Sequence, residues 1–285
     1  MYVLAFDIGS TNIKALVLKV TKINKDENVD LIGKIIVKNT NFADFFYELI
    51  KKYDIDLENI EKVVVTGTGA SYLENKIHDI DIVKVDEFNA ISYGGLLLSK
   101  LDKALIVSIG TGTTIVYSDL NENTRIGGTG LGGGTFVGLS NAIIDNRSDG
   151  HAPYTFNELV KMASNGNRSN VDLCIGDISN TDILNMSKDI TAANFAGINK
   201  KHNINDLISA VANLVLENIA LLVKTLNKDL PVVYIGTMVK DQFIKNRIKE
   251  IAEYTESDVT FVDDADFAIA IGAWEYYLLK IRKVI

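Results

Sequence analysis

Two short loops rich in glycine, serine and threonine recur about one domain apart, and each joins a pair of apolar runs. The first is DIGSTNIK at residues 7–14, between runs at 2–6 and 13–20; the second is SIGTGTT at 108–114, between runs at 104–107 and 115–117. Each reads as strand, tight hairpin, strand, with small residues where a side chain would obstruct the turn. A chain that opens both halves in the same way is constrained to two α/β units related by an old duplication. A turn of this composition also presents N–H groups and hydroxyls, which suit phosphate oxygens. Facing each other, two such hairpins would clamp a nucleoside triphosphate, and that points to phosphoryl transfer.

The rest of the first half continues the α/β reading. After a polar turn at 21–30 and a strand at 31–37, the spacing of Phe42, Phe45, Phe46, Leu49 and Ile50 predicts a helix over about 42–53. A strand at 62–66, a Gly-Thr-Gly turn at 67–69, a short helix at 71–76, a strand at 81–85 and a helix at about 87–101 follow. The pattern restarts at Lys103 and leads into 124–138, the richest glycine run. Residues 141–205 are the least periodic, with turn-like stretches at 146–150 and 165–170, and read as an insertion of helices and loops. A long helix at about 205–227 is apolar on most faces, which implies burial within the monomer or in a dimer interface. A strand at 232–235, a helix near 239–254, a strand at 259–262 and a helix at about 267–281 close the chain. The sequence therefore predicts a mixed α/β fold, with an N-terminal domain at 1–101 and a C-terminal one at 102–285. The junction near Leu101 is the expected place of a hinged cleft.

Composition removes several classes of function. With 285 residues, 47% hydrophobic and 23% charged, the chain is long enough for two ordinary cores. A net charge of −8 with no basic stripe argues against nucleic acid. The nearest basic cluster, Lys280, Arg282 and Lys283, suits the C-terminal end of a helix dipole. The single Cys174 allows no internal disulfide and no cysteine-held cluster, and reads as a reduced, partly buried small hydrophobe. His78, His151 and His202 lack ligand spacing. The N-terminus has no signal-peptide pattern, and no window approaches the roughly 18 uninterrupted apolar residues of a membrane span. A cytosolic protein without a membrane partner is expected.

Particular residues carry the chemistry. Asp7 ends the first strand facing the phosphate position, where a carboxylate is useful with Mg²⁺ interposed, directly or through water. Gly9 supplies the turn, and Ser10, Thr11 and Asn12 offer donors; Lys14 is a phosphate-neutralising cation or a solvent-facing strand residue. In the second loop Gly110, Thr111, Gly112 and Thr113 lack bulk. Glu87 begins a helix whose N-terminus would hold it ionised, ready to accept a hydroxyl proton; simple capping acidity with Asp86 is the alternative. Arg125 can hold a carboxylate in a bidentate pair. It stands just before GGTGLGGG at 127–134, whose glycines allow close approach of a ligand and begin a helix with free N–H groups. VVYIGTM at 232–238 seats an adenine ring or is an ordinary strand-to-helix connection.

Together, DIGSTNIK, DEFNA around Glu87, IGTGTT and RIGGTGLGGGTFVGL at 125–139 make a recognisable series. It continues with NRSNVDL at 167–173, DITAANFA at 189–196, VVYIGT and FAIAIGAW at 267–274. The chain resembles the type II pantothenate kinases, of the kind found in staphylococci and related to the eukaryotic enzymes, over nearly its whole length. The resemblance implies an actin-like ATPase fold of two ribonuclease-H-like domains in a homodimer, with ATP and Mg²⁺ as cofactors and pantothenate phosphorylated to 4′-phosphopantothenate. By motif, Glu87 falls on the catalytic base and Arg125 on the pantothenate contact. Gly9, Ser10, Thr11, Asn12, Ile13, Lys14, Thr111, Gly133, Gly134, Thr135, Phe136, Val137, Gly236 and Thr237 fall on nucleotide-binding segments. The chain departs from the family at Ser10, often Gly, and at 145–154, where no contact is carried over. Rival readings are a sugar or small-alcohol kinase and a nucleotide-binding regulator of actin type. A third, an ATPase activator of 2-hydroxyacyl-CoA dehydratases, needs cluster cysteines that Cys174 alone does not supply.

Overall fold

The computed structural model describes residues 1–23, 26–119, 121–144, 152–179, 188–227 and 229–282. The turn expected at 146–150, His151 and Lys283 lie outside these. Strands β1 (Tyr2–Ile8), β2 (Asn12–Ile23) and β3 (Asp26–Lys38) pair antiparallel in sequence order. The polar turn expected at 21–30 is mostly strand, because cross-strand pairing continues where local composition alone favours a loop. Helix α1 (Phe42–Lys52) starts at Asn41, whose side chain accepts a hydrogen bond from Asp44 N at 3.2 Å.

Strand β4 (Ile60–Thr66) runs parallel to β1. The helix expected at 71–76 is absent: a 3₁₀ turn at Thr68–Tyr72 leads to β5 (Lys76–Ile77) and then β6 (Ile80–Lys84). A six-residue segment is too short to repay α-helix nucleation. Helix α2 (Glu87–Ser99) follows, capped by Asp86, which accepts from Phe88 N and Asn89 N.

The second sheet opens with β7 (Lys103–Ile109), β8 (Thr113–Asp119) and β9 (Asn123–Thr129). Helices α3 (Gly133–Ile144) and α4 (Phe156–Ser164) lead to β10 (Leu173–Cys174), α5 (Ile175–Ile178) and β11 (Thr191–Ala193). Helix α6 (Ile204–Leu226) is followed by β12 (Val232–Ile235), α7 (Gln242–Thr255), β13 (Val259–Phe261) and α8 (Ala268–Tyr276). α6 is long and apolar enough to cross a membrane by composition, but most of it is buried inside the protein, as a core helix is. The helix expected from 239 begins at Gln242, where Asp241 caps Phe243 N at 2.8 Å, and 238–240 form a 3₁₀ turn.

The two main sheets have the orders β3-β2-β1-β4-β6-β5 and β13-β12-β7-β8-β9. Apart from β5, both are a three-strand meander followed by two strands added beside its first member, which is the duplication the paired loops implied. Two compact units result: Met1–Ile106 with Val116–Arg125 and Val262–Ile285, and Val107–Ile115 with Ile126–Phe261. The last helix therefore belongs with the unit that begins the chain.

Alternation in the first sheet decides what faces what. Leu4, Phe6 and Ile8 of β1, Ile13 and Ala15 of β2, and Val63 and Val65 of β4 join the α1 phenylalanines in one core cluster. Successive strand residues point to opposite faces. Asp7, Lys14 and Thr66 thus share the other face, the side on which α8 lies against β1, β2 and β4 and packs with α2.

Candidate active site

In the first unit, register places three polar residues side by side. Asp7 pairs across the hairpin with Lys14 and across the parallel junction with Thr66. All three are buried, at 4%, 7% and 0% exposure. Lys14 Nζ donates to Asp7 Oδ2 at 3.0 Å, so the solvent-facing reading of Lys14 is overturned by the register that turns it inward. Gly67, at φ +86°, bends the chain past this row; a Cβ there would meet Asp7 Oδ1 at 2.8 Å and Ile8 O at 2.7 Å. Glycine keeps that side of the carboxylate accessible.

Glu87 stands at the first turn of α2, half-buried. Its carboxyl is pushed above the usual glutamate range, chiefly by burial and then by the negative charges of Asp7 and Asp86, with Lys14 opposing. The helix N-terminus was expected to favour its ionised form; burial and like charge push the other way. No hydrogen-bond donor reaches this carboxylate among the described residues. Asp86 takes the capping role, which leaves Glu87 free of it. The position of α2 depends on α8: a Cβ on Gly94 would lie 1.9 Å from Ala268 O, and one on Gly272 1.9 Å from Ala90 O. The FAIAIGAW motif thus seats the helix that carries Glu87.

The tip of the first loop is tied from below. Gly9 N donates to Asn12 O at 3.0 Å, Asn39 Nδ2 donates to Gly9 O at 2.9 Å, and Asn39 N donates to Thr11 O at 2.8 Å. Asn39 was missed in the sequence, although its place directly after β3, opposite the loop in the meander, is the signal that finds it. Ser10 and Thr11 are exposed at the tip, and Ile13 is wholly buried in the core cluster.

In the second unit the glycine run clasps the second loop. Gly133 N donates to Gly110 O at 2.8 Å and Gly134 N to Thr111 O at 2.9 Å. The expectation that these two helix-start N–H groups are free is therefore wrong; loop carbonyls occupy them. The glycines are needed for backbone contact: a Cβ on Gly132 would meet Thr111 O at 2.6 Å and Gly112 Cα at 2.8 Å. Thr113 Oγ1 locks the same junction through Leu131 O at 2.8 Å. Thr111 is exposed at the tip, whereas the Phe136 side chain is fully buried against Phe156. Gly236, at φ +104°, closes on the end of β7, where a Cβ would meet Ile109 O at 2.5 Å. That brings Gly236 and Thr237 beside the second loop.

Arg125 lies exposed on β9 rather than on a flexible loop, because pairing with β8 holds Gly127 and Gly128 in a strand that local propensity disfavours. It has no ion-pair partner among the described residues. The NRSNVDL and DITAANFA motifs meet on α6 in a buried network. There Asp172 accepts from Phe195 N at 2.9 Å and Asn213 Nδ2 at 3.1 Å, and Asn213 in turn donates to Glu217.

Among the described residues no group of three His, Cys, Asp or Glu side chains could hold a metal. A lone buried carboxylate suits Mg²⁺, which keeps most of its water and takes phosphate oxygens as further ligands. The Thr66 hydroxyl, buried in the row without a hydrogen-bond partner, fits that hydrated ion. Cys174 is buried and free.

Like-ordered sheets, each opening on a glycine hairpin, define an actin-like ATPase fold. Solved structures agree at the level of fold. The activator of 2-hydroxyisocaproyl-CoA dehydratase from Clostridium difficile with bound ADPNP superposes with TM-score 0.67 at 20% identity, covering 100% of this chain and 97% of that one. A ROK family glucokinase from Streptomyces griseus in complex with glucose and AMPPNP gives 0.56 at 12%, covering 96% and 98%. The family model described as Fumble matches residues 98–274. A type II pantothenate kinase of Bacillus cereus is 31% identical over 234 residues, 76% of this chain and 81% of the relative. That of Oceanobacillus iheyensis is 32% identical over 222 residues, 72% and 79%. The chain belongs to the type II pantothenate kinase family.

Proposed function

We propose that the protein transfers the γ-phosphoryl group of ATP to the primary hydroxyl of pantothenate, giving 4′-phosphopantothenate and ADP at the entry to coenzyme A synthesis. The observation that carries this reading is Glu87, a half-buried carboxylate with an elevated pKa beside the Asp7–Lys14 pair. Such a group accepts the hydroxyl proton as the oxygen–phosphorus bond forms. The bond to the β–γ bridging oxygen breaks with its electron pair going to ADP. Arg125, exposed and without an ion-pair partner among the described residues, suits the carboxylate of pantothenate.

The nucleotide contacts belong to the same proposal: Gly9, Ser10, Thr11, Asn12, Ile13, Lys14, Thr111, Gly133, Gly134, Thr135, Phe136, Val137, Gly236 and Thr237. At Ile13 and Phe136 only the backbone is available, since both side chains are in the cores. Asp7 would hold Mg²⁺ through water; when bound, the ion offsets charge on the phosphates. A division into two ribonuclease-H-like domains, expected at 1–101 and 102–285 with an insertion at about 141–205, is part of this reading, with Val262–Ile285 counted in the compact unit that begins the chain. So are a homodimer, a cytoplasmic location, and no nucleic-acid or membrane partner.

A coupled ADP-release assay with Mg-ATP and pantothenate, pantetheine or glucose tests the substrate. Turnover is expected with pantothenate. Turnover with glucose and not pantothenate would establish the sugar-kinase reading instead, and slow ATP hydrolysis indifferent to all three would favour a regulator.

A further inference from the structure

We infer that Thr66 is a positioning residue for the hydrated divalent cation at Asp7, its hydroxyl hydrogen-bonding a metal-bound water. This rests on the kinase reading above for the cation and carries it to a residue outside every motif of the resemblance. Thr66 Oγ1 is buried and has no hydrogen-bond partner among the described residues, in a residue with 0% exposure. Leaving a buried hydroxyl unsatisfied is destabilising, a cost that a β-branched apolar residue at the same strand position would avoid.

The register shows what the hydroxyl is for. Thr66 is the strand partner of Asp7 in the parallel β1–β4 pair, on the same face of the sheet. Neighbouring strands lie about 4.8 Å apart, so the Thr66 side chain stands next to that of Asp7. On its other flank Asp7 is already engaged by Lys14 through Oδ2. Oδ1 faces the Thr66–Gly67 side, where Gly67 lacks the Cβ that would crowd it at 2.8 Å. One carboxylate oxygen is thus committed to a lysine, and the other looks toward an unpartnered hydroxyl and a bare Cα. That arrangement suits a water held between Asp7 and Thr66 and bound to a cation. Groups that orient a metal's ligands in this way are worth about 10–100-fold in metal affinity.

The test uses Thr66→Val, which keeps the shape and removes the hydroxyl, and Thr66→Ser, which keeps the hydroxyl. Melting of the full chain is followed with a non-hydrolysable ATP analogue while Mg²⁺ is titrated. Thr66→Val is expected to melt at the wild-type temperature or above without ligands, because it removes an unsatisfied hydroxyl. It should also need about 10-fold more Mg²⁺ for half-maximal stabilisation. Thr66→Ser should restore the Mg²⁺ midpoint to within about 3-fold of wild type. A wild-type midpoint in Thr66→Val overturns the inference, as does a Thr66→Ser as impaired as Thr66→Val, or a ligand-free Thr66→Val that melts well below wild type. The readout needs no pantothenate. Failure of pantothenate turnover with the Mg²⁺ response intact would therefore overturn the substrate reading alone.

Discussion

Glu87 and Asp172 are carboxylates that burial pushes above the ordinary range, and their surroundings are opposite in design. Asp172, wholly buried in the second unit, accepts from Phe195 N and Asn213 and lies 3.5 Å from Arg168. These contacts oppose the burial effect and tie two loop motifs to α6. Glu87, in the first unit, has like charges from Asp7 and Asp86 added to burial, opposed by Lys14, and no hydrogen-bond donor among the described residues. A satisfied carboxylate organises a fold; an unsatisfied one retains basicity for a proton. The contrast supports the chemistry proposed for Glu87 and a structural part for Asp172.

The largest effect separates them through rate. Glu87→Gln is expected to lower kcat at least about 100-fold, the scale of general-base loss, while ATP binding, read by calorimetry, stays near wild type. Near-normal turnover would remove Glu87 from the role. Asp172→Ala should do the reverse. It removes the acceptor of Phe195 N and the carboxylate that faces the half-buried Arg168 guanidinium, a destabilisation of about 3 kcal/mol for breaking a buried pair, read from urea unfolding. A change within experimental error would dissolve the comparison.

The smallest effect is pH dependence, which sharpens the contrast by sign. With Glu87 as the proposed base, turnover needs its ionised form, so kcat should climb as pH rises through its elevated pKa and level off above it. That limb should vanish in Glu87→Gln. Stability runs the other way. A carboxyl whose folded pKa exceeds the unfolded value contributes stability that is complete below the unfolded pKa and is lost as pH rises through the folded one. Glutamine never ionises, so Glu87→Gln should melt at or above the wild-type temperature at neutral pH. A wild-type kcat flat from acid to neutral pH would break the assignment.

What local chemistry encodes, the sequence announced. The 42–53 helix with its phenylalanine face, the strand at 232–235 and the glycine hairpins were all legible, because periodicity and turn residues act within a few positions. Strand β9 was not, since its glycines disfavour a strand that only the neighbouring β8 creates. Nor was the true use of Gly133 and Gly134, whose N–H groups are taken by carbonyls of a loop more than 20 positions earlier.

By itself the sequence determined the duplicated α/β plan, the family and the candidates Asp7, Glu87 and Arg125, all carried by residue type and short spacing. Only the tertiary structure decided that Lys14 turns inward to Asp7, that Thr66 stands beside that carboxylate, and that Asn39 secures the first loop. Those relations span strands far apart in the chain. Sheet register alone determines which side chains share a face, and no property of a single segment carries that information.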